Sequence, residues 1–122
     1  MSEDPYSSLV RDLFASAAHA GDLPGATCVS AAAQGVTVQL AASVQDDIIT
    51  AARWQAWGCP HLLAATEAFC AEYEGQEAAS LLEFSAGDLI QELAVPLTKT
   101  GRILVLEDAV RSLGQAICDG SA

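Results

Sequence analysis

Two different periods organise the apolar residues of this chain. Tyr6, Leu9, Val10, Leu13, Phe14 and Ala17 recur every three or four positions, which predicts an amphipathic N-terminal helix opened at Pro5 and stopped at Gly21. After the break at Asp22 to Gly25, Val36, Val38, Leu40, Ala42 and Val44 alternate with Thr37, Gln39, Ala41 and Ser43, the period of a half-buried strand. Thr27 to Ala31 is expected to pair with it. Gln45-Asp46-Asp47 supplies a turn, and Ile48 to Trp57 follows as a third strand with Ile48, Ala52, Trp54 and Ala56 on one face, completing an antiparallel meander. At Gly58-Cys59-Pro60 the period changes to about 3.6, with Leu62, Ala65, Thr66, Phe69 and Tyr73 forming one helical stripe that Gly75 closes. Two short helices are expected over 76–83 and 86–93, the second capped by Ser85, and a final helix runs from Ile103 to Ile117. The expected fold is α+β, a small three-stranded antiparallel sheet packed against helices.

At 122 residues with 52% hydrophobic and 17% charged, the chain can bury a core and reads as a single domain over 1–122. Sixteen acidic residues against five Lys plus Arg leave a net charge of -11. That balance argues against nucleic acid and anionic membrane surfaces as partners and towards a protein with a basic face. No apolar run reaches the length of a spanning helix, and the acidic start is unlike a signal peptide, so a cytoplasmic location is expected.

Cys28, Cys59, Cys70 and Cys118 show none of the spacings of a structural zinc site, and in a reducing compartment they are expected as thiols. Cys59 stands apart. Pro60 suits a first helical position, so Cys59 either lies where unpaired N–H groups and the helix dipole favour a thiolate or is only a small capping or packing residue. Gly58 leaves the approach open, and His61 in the same first turn could accept a proton or ligate a metal, or be a solvated side chain. Cys70 lies roughly 16 Å further along the helix and cannot share a metal with Cys59. Cys28, Cys70 and Cys118 are expected to be small buried hydrophobes. No phosphate-binding loop, dinucleotide fingerprint, zinc-hydrolase or nucleophile-elbow motif occurs. His19 is expected to face the C-terminal end of the first helix dipole, and Glu107-Asp108 to form a solvated face with a pairing to Arg111.

Ala52-Arg53-Trp54-Gln55-Ala56-Trp57-Gly58-Cys59 followed by a helix resembles the strand-to-helix junction of the IscU and NifU N-terminal family of iron-sulfur cluster assembly scaffolds. Lys99-Thr100-Gly101-Arg102-Ile103-Leu104-Val105-Leu106-Glu107-Asp108-Ala109 is similar to the family's later segment, and the likeness runs from about Tyr6 to Ile117. The resemblance implies the IscU-like fold, a place in iron-sulfur cluster assembly, and an iron-sulfur cluster or an iron or zinc ion as the ligand. It also implies a cluster held by three cysteines with an Asp and a His. Of those positions only Cys59 keeps its cysteine. The Cys-Gly-Asp turn becomes Gln34-Gly35-Val36, and the His-Cys pair becomes Gly101-Arg102. Which cofactor is bound is left unknown.

SufE-type sulfur acceptors are similar in fold and use one cysteine at the corresponding loop. The leading expectation is therefore a non-enzymatic sulfur acceptor or accessory factor, with Cys59 receiving sulfur from a cysteine desulfurase and Arg102 beside it. Two alternatives accompany it: a binding module regulating the desulfurase or another iron-sulfur assembly protein, and a homodimer pooling Cys59 and His61 into a shared metal or cluster site.

Overall fold

The structure, a computed structural model, describes residues 19–21, 23–58, 60–93, 95 and 100–120. The predicted N-terminal helix over 6–17 and the residue Cys59 lie outside this set. Three strands come first: β1 (Thr27–Ala33), β2 (Val36–Gln45) and β3 (Ile48–Trp57). They form one antiparallel sheet in the order β1-β2-β3. The helices follow as α1 (Pro60–Tyr73), a 3₁₀ helix (Ala78–Glu83), α2 (Gly87–Glu92) and α3 (Thr100–Gly120). Among the described residues no helix is long and apolar enough to cross a membrane.

Both hairpins close through two-residue turns in left-handed backbone, Gln34 and Gly35 at φ 55° and 76°, and Asp46 and Asp47 at φ 54° and 65°. A pair of positive φ values matches the right-handed twist of the flanking strands and fixes their register. Thus Ala33 faces Val36, and Thr37 faces Trp57. Ser43 pairs with Ala51 but Val44 pairs with Ile49, leaving Thr50 as the extra residue of a bulge, where its hydroxyl donates to the Ser43 carbonyl at 3.1 Å. The bulge shifts the inward phase of β3. Ile49 is buried with Ala52 and Trp54, whereas Ile48, expected on that face, is only half-buried.

Helix α3 lays Ile103, Leu106, Val110 and Leu113 against the sheet, a 3–4 spacing that keeps one stripe inward. Its ends reach further than the expected Ile103 to Ile117. The predicted stripe of α1 is buried from Leu62 to Phe69, and His61, Glu67 and Cys70 are buried as well, so this helix is covered on more than one flank. Its end is tied back to the sheet: Gly75 N donates to the Ile49 carbonyl at 2.7 Å, with Gly75 at φ 90°.

The segment expected as a helix over 76–83 is a 3₁₀ helix starting at Ala78. Ser85 makes only a 3.4 Å contact from Gly87 N. The expected solvated Glu107 is instead half-buried and accepts from Ala86 N at 2.9 Å. Arg111 donates from Nε to the Phe84 carbonyl at 3.1 Å rather than pairing with that carboxylate. These two side chains of α3 satisfy backbone groups of Phe84 and Ala86, both of which are buried.

Candidate functional site

Strand β3 ends at Trp57 and α1 begins at Pro60, leaving Gly58 and Cys59 as the whole junction. Gly58 is required by close packing. A Cβ there would stand 2.7 Å from Val36 Cγ1 and 2.8 Å from Leu62 Cδ2, both on buried side chains. Val36 directly follows the Gln34-Gly35 turn, so the first hairpin turn lies beside the junction. The same turn meets the start of α3: a Cβ on Gly101 would lie 3.8 Å from Cδ and Oε1 of Gln34. Three segments far apart in sequence, residues 34–36, Gly58 and Gly101, therefore share one end of the sheet.

Of the residues singled out from sequence, Gln34, Gly35 and Arg102 are brought to this end, Arg102 half-buried in the first turn of α3. Cys59 lies outside the described residues, flanked by Gly58 and Pro60. Trp57, one residue before the junction, is 78% exposed. His61 is 0% exposed, so it is not a solvated first-turn residue, and a site pooled from two copies would require its imidazole to leave the core.

The residues at the positions that the sequence resemblance implies as ligands do not fit a cluster held by one chain. Gln34, Val36, Gly101 and Arg102 offer neither thiolate nor carboxylate, and such clusters are normally held by four ligands. Among the described residues no group of three or more His, Cys, Asp or Glu is placed to hold a metal. The other cysteines divide differently from expectation. Cys70 is buried as expected, but Cys28 and Cys118 are exposed. Cys28 points with Ser30 and Ala32 to the outer face of β1. Burial, reinforced by the charges of Glu67 and Glu74, pushes the Cys70 thiol well above its ordinary value.

A second polar constellation was missed from sequence. The ring of His19 lies between two carboxylates of α1, with Nδ1 2.5 Å from Glu67 Oε2 and Nε2 2.9 Å from Glu74 Oε1; the helix whose end it is expected to face lies outside the described residues. Glu67 is only 3% exposed, and its Oε1 accepts from His19 N at 2.8 Å and from Trp54 Nε1 at 3.1 Å. Glu74 Oε2 accepts from Ala52 N and from Arg53 Nη1, each at 2.8 Å. Burial disfavours charge on His19, but the hydrogen bonds and charges of Glu67 and Glu74 outweigh it and hold the imidazole above its ordinary value. A usable signal existed: Glu67, Cys70 and Glu74 are spaced as a second stripe beside the apolar one.

Comparison with known proteins agrees with this architecture. The family model of the NifU-like N terminal domain matches residues 5–118. The iron-sulfur cluster assembly protein IscU of Plasmodium falciparum (isolate 3D7) is 26% identical over 112 residues, covering 87% of this chain and 69% of that protein. The crystal structure of the N-terminal part of a nitrogen-fixing NifU-like protein from Brucella abortus superposes with a TM-score of 0.71 at 13% identity, covering 93% of this chain and 94% of that one. A structure described as a proposed iron-sulfur cluster assembly scaffold for the SUF system of Fervidobacterium islandicum AW-1 gives 0.69 at 16% identity, covering 86% and 93%. At these identities the two structures speak for the fold.

Proposed function

We propose, from the premise that the chain belongs to the NifU-like N-terminal domain family, that it serves iron-sulfur cluster assembly as a single-domain sulfur acceptor working with a cysteine desulfurase through Cys59. The observation that carries this reading is the gathering of the emptied ligand positions: Gln34 against Gly101 and Val36 against Gly58, with Cys59 as the remaining thiol at that junction. One thiol is too few to hold a cluster and sufficient to carry sulfur.

The chemistry needs a nucleophilic sulfur and an accessible approach. Cys59 precedes a helix whose first residue is Pro60, and a helix N-terminus lowers a thiol pKa into roughly the 3.5–7.5 range in favourable cases. The Cys59 thiolate attacks the terminal sulfur of a persulfide on the desulfurase. A new sulfur–sulfur bond forms on Cys59, the old one breaks, and the desulfurase cysteine leaves as thiolate. The sulfane sulfur is transferred with no net oxidation. Arg102 follows the glycine that meets Gln34, and a guanidinium brought to Cys59 would favour both the thiolate and the persulfide anion. The net charge of -11 supports docking to a desulfurase face of opposite sign. The chain acts as a carrier, with no catalytic turnover of its own.

The test is native mass spectrometry of the full chain after incubation with a cysteine desulfurase and L-cysteine, followed by peptide mapping. One added sulfur on Cys59, absent in Cys59→Ser, is expected. Two results would overturn the reading. One is an iron cluster retained by a single chain. The other is an unmodified Cys59 while both the wild type and Cys59→Ser alter desulfurase turnover, which would make the protein a non-covalent regulator.

A further inference from the structure

The His19 cluster does more than fill a polar gap. Each ring nitrogen of His19 faces a carboxylate oxygen, Nδ1 towards Glu67 and Nε2 towards Glu74. A neutral imidazole carries one ring proton, so one of these two contacts would set a nitrogen lone pair against an oxygen lone pair. With both carboxylates ionised, only the doubly protonated ring satisfies both at once. The charge count agrees: Glu67 and Glu74 bring two negative charges, Arg53 one positive, and the imidazolium closes the balance among the described groups.

What the ring holds in place is backbone. Trp54 N donates to the His19 carbonyl at 3.0 Å, and Gly21 N donates to the Trp54 carbonyl at 2.8 Å. Ala20 and Trp54 thereby form a parallel bridge, so residues 19–21 lie along the edge of β3 that β2 leaves open. These two bonds are too few to hold a short strand by themselves. The anchors are the His19 amide on Glu67, the two ring contacts, and the Trp54 indole on the same Glu67 oxygen.

We propose that His19 is a proton-operated latch: in its imidazolium form it clamps residues 19–21 onto the edge of β3, and loss of one ring proton releases that segment. The described charged and titratable groups around the latch are Glu67, Glu74 and Cys70 from α1 and Arg53 from β3. Glu67 and Glu74 favour the imidazolium, and Arg53 opposes it but is engaged by Glu74 Oε2. Burial of the Cys70 thiol keeps it neutral. A raised His19 pKa means the clamp is complete below about pH 6.5 and is lost as pH rises through the folded-state value. The latch stands or falls separately from sulfur transfer at Cys59.

The test uses the full chain in two measurements. Nitrogen-detected NMR of the His19 ring should show both nitrogens protonated at pH 6 and a titration above the ordinary histidine value. Hydrogen exchange, corrected for intrinsic rates, should show protection of the Gly21 and Trp54 amides falling severalfold across that titration, while strand amides between β1 and β2 keep theirs. In Glu74→Gln, whose carboxylate is the more exposed of the two, the His19 titration should move down. In His19→Gln the protection should lose its pH dependence. A His19 titration at or below 6.5 in the wild type, or protection at Gly21 and Trp54 that ignores pH, would overturn the latch even if His19→Gln failed to fold.

Discussion

The side chain of Gln34 lies against the backbone of Gly101, within 3.8 Å of where a Cβ on that glycine would stand. Family resemblance implies that both positions belong to ligand-bearing segments, and the fold brings these two segments together although neither residue here is a ligand type for a cluster. The wild type is therefore expected to stay colourless after anaerobic reconstitution with iron and sulfide. Contact at 3.8 Å is ordinary van der Waals distance, so a side chain at position 101 fits. The combined variant Gln34→Cys, Val36→Asp, Gly101→His and Arg102→Cys should gain visible charge-transfer absorption that survives desalting. A coloured wild-type monomer would contradict the depletion of the site.

Gly58 offers a test of the junction's packing. A methyl group there would enter within 2.8 Å of two side chains fixed in the core, Val36 and Leu62. Overpacking of this kind costs about 1–3 kcal/mol. Gly58→Ala should lower the urea midpoint accordingly, with the m-value unchanged. Adding Val36→Ala should recover part of the loss, because it removes the closer obstacle. An additive double mutant would show that the two residues do not compete for the same space.

Cysteine reactivity separates burial from activation. Cys70 is enclosed and its thiol is pushed up, so brief iodoacetamide treatment should leave it unmodified until the protein is unfolded in urea. Cys28 and Cys118 are exposed and should be labelled without unfolding. Cys59 should react roughly tenfold faster than either near pH 7 if the helix end lowers its pKa by a unit or more. Peptide mapping of the labelled sites gives the order, and labelling of Cys28 or Cys118 before Cys59 would remove the claim of an activated thiol.

What was legible in the sequence follows from which signals are local. The switch from a period of two to one of 3.6 marked the boundary at Gly58 to Pro60, and the polar Asp46-Asp47 pair marked the turn; both are set by neighbouring residues. The bulge at Thr50 was not legible, because alternation carries no mark of an inserted residue until the partner strand is known. Burial of Glu67 was hidden for a related reason: its partner His19 stands 48 positions away. Cys28 is a different failure. Its strand parity with Ser30 and Ala32 marks it as outward, whereas the general tendency of cysteine to be buried points the other way. The packing of Gln34 against Gly101 and of Val36 against Gly58 joins segments far apart in sequence and carries no local mark.

Glu74 makes the stability of the polar cluster depend on acid as well. Burial alone would raise its pKa, but the Ala52 amide and the hydrogen bonds from His19 and Arg53 prevail and hold it below 4.5. A carboxylate depressed in this way stabilises the fold above its unfolded pKa, and the contribution is lost as pH falls through the folded value. The stability difference between wild type and Glu74→Gln should be about 1–3 kcal/mol near pH 5.5, where His19 is also charged. It should shrink on acidification below about pH 4 and again as His19 deprotonates. A difference that stays flat across this range would mean the carboxylate acts only as a neutral hydrogen-bond acceptor.

Arg102 is the residue whose role can be read from its effect on another. It lies half-buried in the first turn of α3, one position after the glycine that meets Gln34, and the family resemblance sets it at the lost third cysteine. A guanidinium keeps its charge at every physiological pH. If it stabilises the Cys59 thiolate, Arg102→Ala should raise the Cys59 pKa and slow its alkylation severalfold near pH 7. Global stability should change little, since a partly exposed arginine contributes little through its charge alone. Arg102→Lys should restore only part of the effect, because the ammonium keeps the charge but loses the planar array of donors. The measurement is the pH profile of Cys59 alkylation in the three proteins. An identical profile in all of them would reduce Arg102 to a surface replacement for a discarded ligand, leaving the end of α1 as the sole source of activation at Cys59.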